Sequence, residues 1–128
     1  MNSSDKNKTT YQTFKSLVNL SADELQAWLN TTESKAVGIQ KGTTHQKITD
    51  PKTQESIGHE SGRIIVELLQ MQPGEYDEFA YAHMRKVIGY IRRHSAQRPA
   101  KQKIETSRWR YSLMNWGHDP LKDQPKAS

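Results

Sequence analysis

The sequence contains no cysteine, which excludes disulfide bonds, thiolate metal sites and a cysteine nucleophile. It also lacks an apolar run of the roughly 20 residues that a membrane-spanning helix requires. The first ten residues are polar and do not resemble a secretory signal. Only 33% of the residues are hydrophobic, so we expect a lean core and no membrane association.

Recognisable catalytic motifs are also missing. The 7 glycines form no phosphate-cradling loop, and no G-x-S-x-G or H-E-x-x-H sequence occurs. Gly58 to Arg63, at a predicted helix start, give a weak anion-site signal, which an ordinary cap with a surface arginine explains better. No two histidines have the i, i+4 spacing of a helical metal site. We therefore predict no enzyme activity, no cofactor and no metal. The histidines are His45, His59, His83, His94 and His118.

Apolar residues recur at helical spacing through most of the chain, and no segment alternates as a β-strand would. The predicted helices cover approximately 11–19, 22–30, 59–71, 75–97 and 107–116. We therefore expect an all-α fold, a compact bundle of about five helices with a long loop between the second and third. The residues predicted to be nearly inaccessible are Leu68, Leu69, Val87, Ile88, Ile91 and Trp109.

The sharpest local signal is a capping box at the second helix. Ser21 can accept a hydrogen bond from the backbone N–H of Glu24, whose carboxylate can reach back to the N–H of Ser21. Leu20 and Leu25 flank the cap with the spacing of a hydrophobic staple. This pattern predicts that the helix begins at Ala22.

Polar segments set the predicted domain limits. Residues 38–58 are rich in Thr, Lys and Gln, and are predicted to form a flexible loop. Residues 1–10 are predicted to be a disordered lead-in and residues 123–128 a disordered tail. A single helical domain then spans residues 11–122.

Positive charge is concentrated in one part of the chain. Residues 1–84 carry 8 basic and 11 acidic side chains, whereas residues 85–110 carry nine basic side chains against Glu105 alone, a net of +8. Such a cluster is typical of a surface that binds a polyanion, although it also suits a solvated helix face. The predicted nucleic-acid-binding cations are Arg85, Lys86, Arg92, Arg93, Arg98, Lys101, Lys103, Arg108 and Arg110.

Aromatic residues are interleaved with the last of these cations. Trp109 and Trp116 share one helical stripe, which favours a place in the core. Tyr111 lies off that stripe between basic neighbours. We therefore predict that Tyr111 is an exposed ring and part of the nucleic-acid site.

Four segments resemble a known family: LQAWLNTTESKAVG at 25–38, GHESGRIIVELL at 58–69, HMRKVIGYIRRHSAQRP at 83–99 and WRYSLMNWGHDPLK at 109–122. The family is an uncharacterised one of bacteria and fungi, a domain of unknown function whose members are often labelled DNA-binding protein. Its most specific element is the closing WRYSLMNWGHDPLK, and residues 42–55 match none of its patterns. The resemblance implies DNA binding and supplies no catalytic residue.

Together these observations predict a small basic protein that binds nucleic acid, DNA ahead of RNA, through phosphates. Because phosphate contacts carry little sequence information, we expect weak sequence preference. The alternative is a protein-interaction module that docks an acidic partner; a small enzyme acting on an anionic substrate ranks third. The expected location is cytoplasmic, at the nucleoid in a bacterium or in the nucleus of a eukaryote. The oligomeric state is left open.

Overall fold

The computed structural model describes residues 3–100 and 103–123. Over these residues the chain forms six α-helices and no β-strand, which confirms the all-α prediction. The α-helices are α1 (Ser3–Leu17), α2 (Ala22–Leu29), α3 (Thr32–Ala36), α4 (Ile57–Gln70), α5 (Glu78–Ser95) and α6 (Arg108–Asn115). Short 3-10 helices occur at Pro73–Glu75, Ile104–Thr106 and Pro120–Asp123.

Helix α1 begins at Ser3 rather than near Tyr11, so residues 3–10 are helical and the predicted disordered lead-in is wrong for them. The reason is tertiary packing, since α1 lies along α5. Thr10 is buried, and the ring of Tyr11 lies 5.7 Å from that of Tyr76. A polar composition predicted disorder because it carries no signal for these contacts. Of the predicted tail at 123–128, Asp123 ends the last 3-10 helix and residues 124–128 lie outside the described residues.

The capping box at α2 is confirmed. The Ser21 hydroxyl accepts from the N–H of Glu24 at 3.1 Å, and the N–H of Ser21 donates to the Glu24 carboxylate at 2.9 Å. Lys122 Nζ also lies 2.9 Å from both carboxylate oxygens, which ties the end of the chain to this helix start.

We expect Ser21→Ala to lower the free energy of unfolding by about 0.5–2 kcal/mol, as for other lost N-caps. The substitution removes the acceptor for the Glu24 N–H but leaves the Lys122 contact in place. Urea unfolding of the purified protein measures the change. An unchanged midpoint would contradict a stabilising cap.

The core lies mainly between α1, α2, α4 and α5. Ile65, Met84 and Val87 are completely inaccessible, at 0% exposure. Of the six residues predicted to be buried, five are at or below 8% exposure, but Leu69 is only partly buried. Consecutive helical residues point about 100° apart. Because Leu68 faces the core, Leu69 lies at its margin.

Two features between α2 and α4 differ from the prediction. Helix α3 was not expected, because its five residues carry no apolar stripe; Thr31 caps it by accepting from the N–H of Ser34 at 3.1 Å. The loop ends at Ser56, two residues earlier than predicted. At the start of this loop, Gly38 has φ +105, and a Cβ on this residue would lie only 2.9 Å from the Cβ of Ser56.

The loop is cross-linked to itself by backbone hydrogen bonds. The N–H of Gln40 donates to Gln46 O at 2.8 Å, that of Ile48 to Gly38 O at 3.1 Å, and that of Ile57 to Ile39 O at 2.9 Å. These bonds fold the loop back on itself beside the start of α4. Whether it is flexible in solution stays a prediction.

Glu55 fastens the end of the loop to α4. Its carboxylate accepts two hydrogen bonds from Arg63, at 2.6 and 2.7 Å, and one from Lys41 at 3.1 Å. A ring nitrogen of His59 lies 2.6 Å from it. The Arg63 contacts, with those of His59 and Lys41, lower the pKa of Glu55 to about 2 against the opposing effect of burial. The loop therefore has an ionic anchor as well as its backbone bonds.

Candidate nucleic-acid interface

A groove of about 620 Å³ opens where the loop and the start of α4 face α5 and α6. Four cationic side chains line it: Lys47 from the loop, Lys86 and Arg93 from α5, and Arg108 from α6. No carboxylate lines the groove within the part of the chain that the structure describes. The groove therefore has a cationic border without compensating negative charge.

The helical repeat of α5 brings three of its side chains to the groove. Lys86, Tyr90 and Arg93 recur at i, i+4 and i+7, so they share one face of the helix. Gly89 makes room beside them, because a Cβ there would lie 2.9 Å from Nη1 of Arg93. The guanidinium of Arg93 thus lies back over the helix at the groove border.

Stacked rings form one wall of the groove. The ring of Tyr90 lies 4.3 Å from that of Trp116 and 5.1 Å from that of His94, and is nearly parallel to both. Burial raises the pKa of Tyr90 to about 12. Burial also lowers the pKa of His94, so the neutral ring predominates at pH 7. The wall is consequently uncharged, and the positive charge is confined to the border.

Two ring nitrogens in this wall have no hydrogen-bond partner among the described residues. Trp28 donates to Asn115 at 2.7 Å and Trp109 to His94 O at 2.7 Å, whereas the indole N–H of Trp116 finds no acceptor. The Nε2 of His94 is buried and likewise unpartnered. A buried polar group without a partner, as at His94, is rare in folded proteins and calls for an explanation.

Three of the predicted cations, Lys86, Arg93 and Arg108, meet at the groove. Three others are exposed outside its lining, and one of them, Arg98, stands 5.5 Å over the ring of Trp109 in a cation–π contact. Lys101 lies outside the described residues. These three flanking cations are Arg92, Arg98 and Lys103.

The other predicted site residues have structural surroundings that the sequence did not reveal. Arg85 is partly buried, with Nη1 enclosed and unpartnered among the described residues, rather than projecting into water. Arg110 holds Asp119 through two hydrogen bonds of 3.0 Å. Tyr111 is only partly exposed, because its ring packs 5.3 Å from that of Trp28.

Two groove residues were missed because they lie in the loop. His45 and Lys47 reach the groove only through the cross-linked loop conformation, which no local pattern encodes. Among the described residues His45 is the one non-glycine with a positive φ, at 62°. Histidine is among the residue types enriched in this left-handed region. The positive φ of His45 marks the special loop conformation, but it is seen only in the structure and not in the sequence.

The fold and the groove define a small all-α protein with a cationic groove, one wall of which is formed by aromatic rings. The sequence matches the family described as a protein of unknown function, DUF3140, over residues 13–114, and the chain belongs to that family. The match ends at Met114, inside the closing segment WRYSLMNWGHDPLK. No curated protein and no solved structure matches the sequence significantly.

Two further observations bear on the class of site. In the ranges 3–100 and 103–123, no helix is long and apolar enough to cross a membrane. Over the same ranges, no three His, Asp or Glu side chains are grouped so that they could hold a metal ion.

Proposed function

We propose that the protein binds nucleic acid, DNA ahead of RNA, through phosphate contacts made by the cations of the groove. The observation that carries the proposal is the convergence of Lys47, Lys86, Arg93 and Arg108 on a groove lined by no carboxylate of the described chain. Arg92, Arg98 and Lys103 extend the positive surface beyond it.

None of the four groove cations forms an ion pair with a described residue. Cations held close together without partners repel one another, and a polyanion relieves that repulsion. Glu55, at the end of the loop, is instead engaged by Arg63. The arrangement thus favours an external anion over an internal one.

The proposed role is binding without catalysis and with weak sequence preference, because phosphates present the same charge in every sequence. We place such a protein in the cytoplasm, at the nucleoid in a bacterium or in the nucleus of a eukaryote. An acidic protein partner for the same face is the second candidate.

Binding of a duplex DNA, followed by fluorescence anisotropy across a salt series, tests the proposal. If about five cations engage phosphates, log affinity should fall with log salt at a slope of roughly −4 to −5, about −0.9 for each contact. The double variant Lys86→Ala/Arg93→Ala should flatten the slope by about two contacts.

The matched control is Lys15→Ala/Lys35→Ala, which removes two exposed lysines outside the groove lining. It should leave the slope close to that of the parent protein. Equal effects of the two double variants would show that the groove is not the binding face. Absence of binding even at low salt would favour the acidic partner.

A further inference from the structure

We propose that the groove receives a single nucleotide unit, with its phosphate at the cationic border and its base against the aromatic wall. The inference rests on the proposed function and deepens it. The protein would then prefer nucleic acid that contains an unpaired nucleotide over a fully paired duplex. The same chemistry would also accept a free mononucleotide.

The first argument is size and lining. A volume of about 620 Å³ falls within the usual range of small-molecule sites and is too small for a double helix. Behind the cations, the groove is lined by Ile39, Ile57, Tyr90 and Trp116. Phosphates alone do not need an apolar lining, whereas a base extruded from its stack does.

The second argument is the indole N–H of Trp116, which has no acceptor among the described residues and faces the groove. This residue is 4% exposed, and its Nε1 lies beside Gly58, where a Cβ would be only 2.9 Å away. The absence of a side chain at Gly58 leaves the indole N–H uncovered at the groove. A nucleobase offers ring-nitrogen and carbonyl acceptors for such a donor, whereas an aliphatic ligand would leave it unpaired.

The third argument is the electrostatic character of the wall. Because Trp116 and His94 stack on either side of Tyr90, the rings cover one another and offer mainly their edges to the groove. Ring edges carry the positive end of the aromatic quadrupole. They therefore complement the acceptor-rich edge of a base and the nearby phosphate.

The fourth argument is that hydrogen bonds within the chain position the residues of the groove. The backbone bonds of the loop place Lys47 opposite α5, and Glu55 anchors the loop to α4. A preformed site does not lose affinity to the ordering of its own parts.

The experiment compares two DNA probes with equal numbers of phosphates, a blunt duplex and a duplex that carries one unpaired nucleotide. Since one hydrogen bond to the base and its apolar contacts with the groove are together worth roughly tenfold in affinity, the second probe should bind about 10-fold more tightly at the same salt concentration. Adenosine 5′-monophosphate and inorganic phosphate are then compared as competitors of the bound DNA probe, which identifies the source of the ligand. Displacement by the mononucleotide alone assigns the site to free nucleotides as well, and no displacement assigns it to nucleotides within a strand.

Ile57→Glu is the variant that tests the groove itself. Ile57 is 38% exposed and is the first residue of α4, where a carboxylate is favourable for the helix while it repels a phosphate in the groove. Phe79→Glu is the matched control, because Phe79 is 67% exposed in the first turn of α5 and does not line the groove. Ile57→Glu should abolish the preference for the unpaired nucleotide, and Phe79→Glu should retain it.

The outcomes separate this inference from the function on which it rests. If both duplex probes bind equally well, or if the two glutamate variants lose the preference to the same extent, the nucleotide site is wrong and phosphate binding stands. If no DNA probe binds at low salt but the mononucleotide does, the nucleotide site stands and nucleic-acid binding is wrong. If nothing binds, both are wrong.

Discussion

Replacing Asn115 with alanine should lower the free energy of unfolding by about 2–6 kcal/mol, because the buried Ser34 hydroxyl and the half-buried Trp28 N–H lose their acceptor and each loss costs about 1–3 kcal/mol. Asn115 is 1% exposed. Its Oδ1 accepts from Trp28 Nε1 at 2.7 Å and from the Ser34 hydroxyl at 2.6 Å, while Nδ2 donates to Ser34 O at 3.1 Å. One side chain thereby joins α2, α3 and α6.

Urea unfolding monitored by circular dichroism measures the effect. Asn30→Ala is the matched control, because Asn30 is exposed at the end of α2 and neither its Oδ1 nor its Nδ2 has a hydrogen-bond partner among the described residues. It should change the free energy of unfolding by less than about 0.5 kcal/mol. A stability of Asn115→Ala close to that of the parent would mean that the buried network contributes nothing net.

The elements that the sequence predicted well are those decided by local chemistry. Helix α2 begins at Ala22 because Ser21 and Glu24, only three positions apart in the sequence, satisfy each other's backbone N–H groups. Gly117, the glycine that follows the last predicted helix, has φ +83, a left-handed conformation that is common just after a helix. Such features need no knowledge of the rest of the fold.

Elements that depend on distant contacts were not predictable in the same way. Helix α3 has no apolar periodicity, and its Ser34 is buried only because it meets Asn115 from the other end of the chain. The N-terminal half of α1 is polar, yet it packs along α5. In both cases tertiary packing overrides a local composition typical of irregular structure.

The residues of the candidate site were likewise predictable only where local sequence decides their place. Counting charge located the basic segment at 85–110 but treated each cation alike. The structure separates those at the groove, such as Arg108, from Arg110, whose partner Asp119 lies nine positions along the chain. Lys47 was missed entirely, because its place at the groove depends on loop bonds between residues that show no motif.

The closing segment also takes on a different meaning. The resemblance of this segment to proteins labelled DNA-binding suggested an interface, but two of its residues join it to residues 17–20. The carbonyl of Gly117 accepts from the N–H of Asn19 and of Leu20, at 3.1 and 3.2 Å, and a ring nitrogen of His118 lies 2.7 Å from Leu17 O. These residues of the closing segment therefore have a structural role.

Arg110→Ala should lower the free energy of unfolding by about 2–4 kcal/mol, somewhat less than the 3–5 kcal/mol typical of breaking a fully buried ion pair. The side chains of Arg110 and Asp119 are 19% and 10% exposed, so the carboxylate would lose its partner in a mostly enclosed place. Burial acts to raise the pKa of Asp119, but the hydrogen bonds from Arg110 and from the N–H of Leu121 hold it below its usual value. Arg110→Lys should recover only part of the loss, because lysine cannot make the paired contacts.

The neighbouring Arg108→Ala should behave in the opposite way. Arg108 is exposed at the groove and pairs with no described carboxylate. Its loss should therefore change the free energy of unfolding by less than about 0.5 kcal/mol, as for ordinary surface positions. Its removal should instead weaken DNA binding and flatten the salt slope by about one contact. Unfolding and anisotropy titrations on the same two variants measure both quantities. If Arg110→Ala stays fully stable and loses DNA binding as Arg108→Ala does, the two arginines act alike at a surface, and the structural role given to the Arg110–Asp119 pair is wrong.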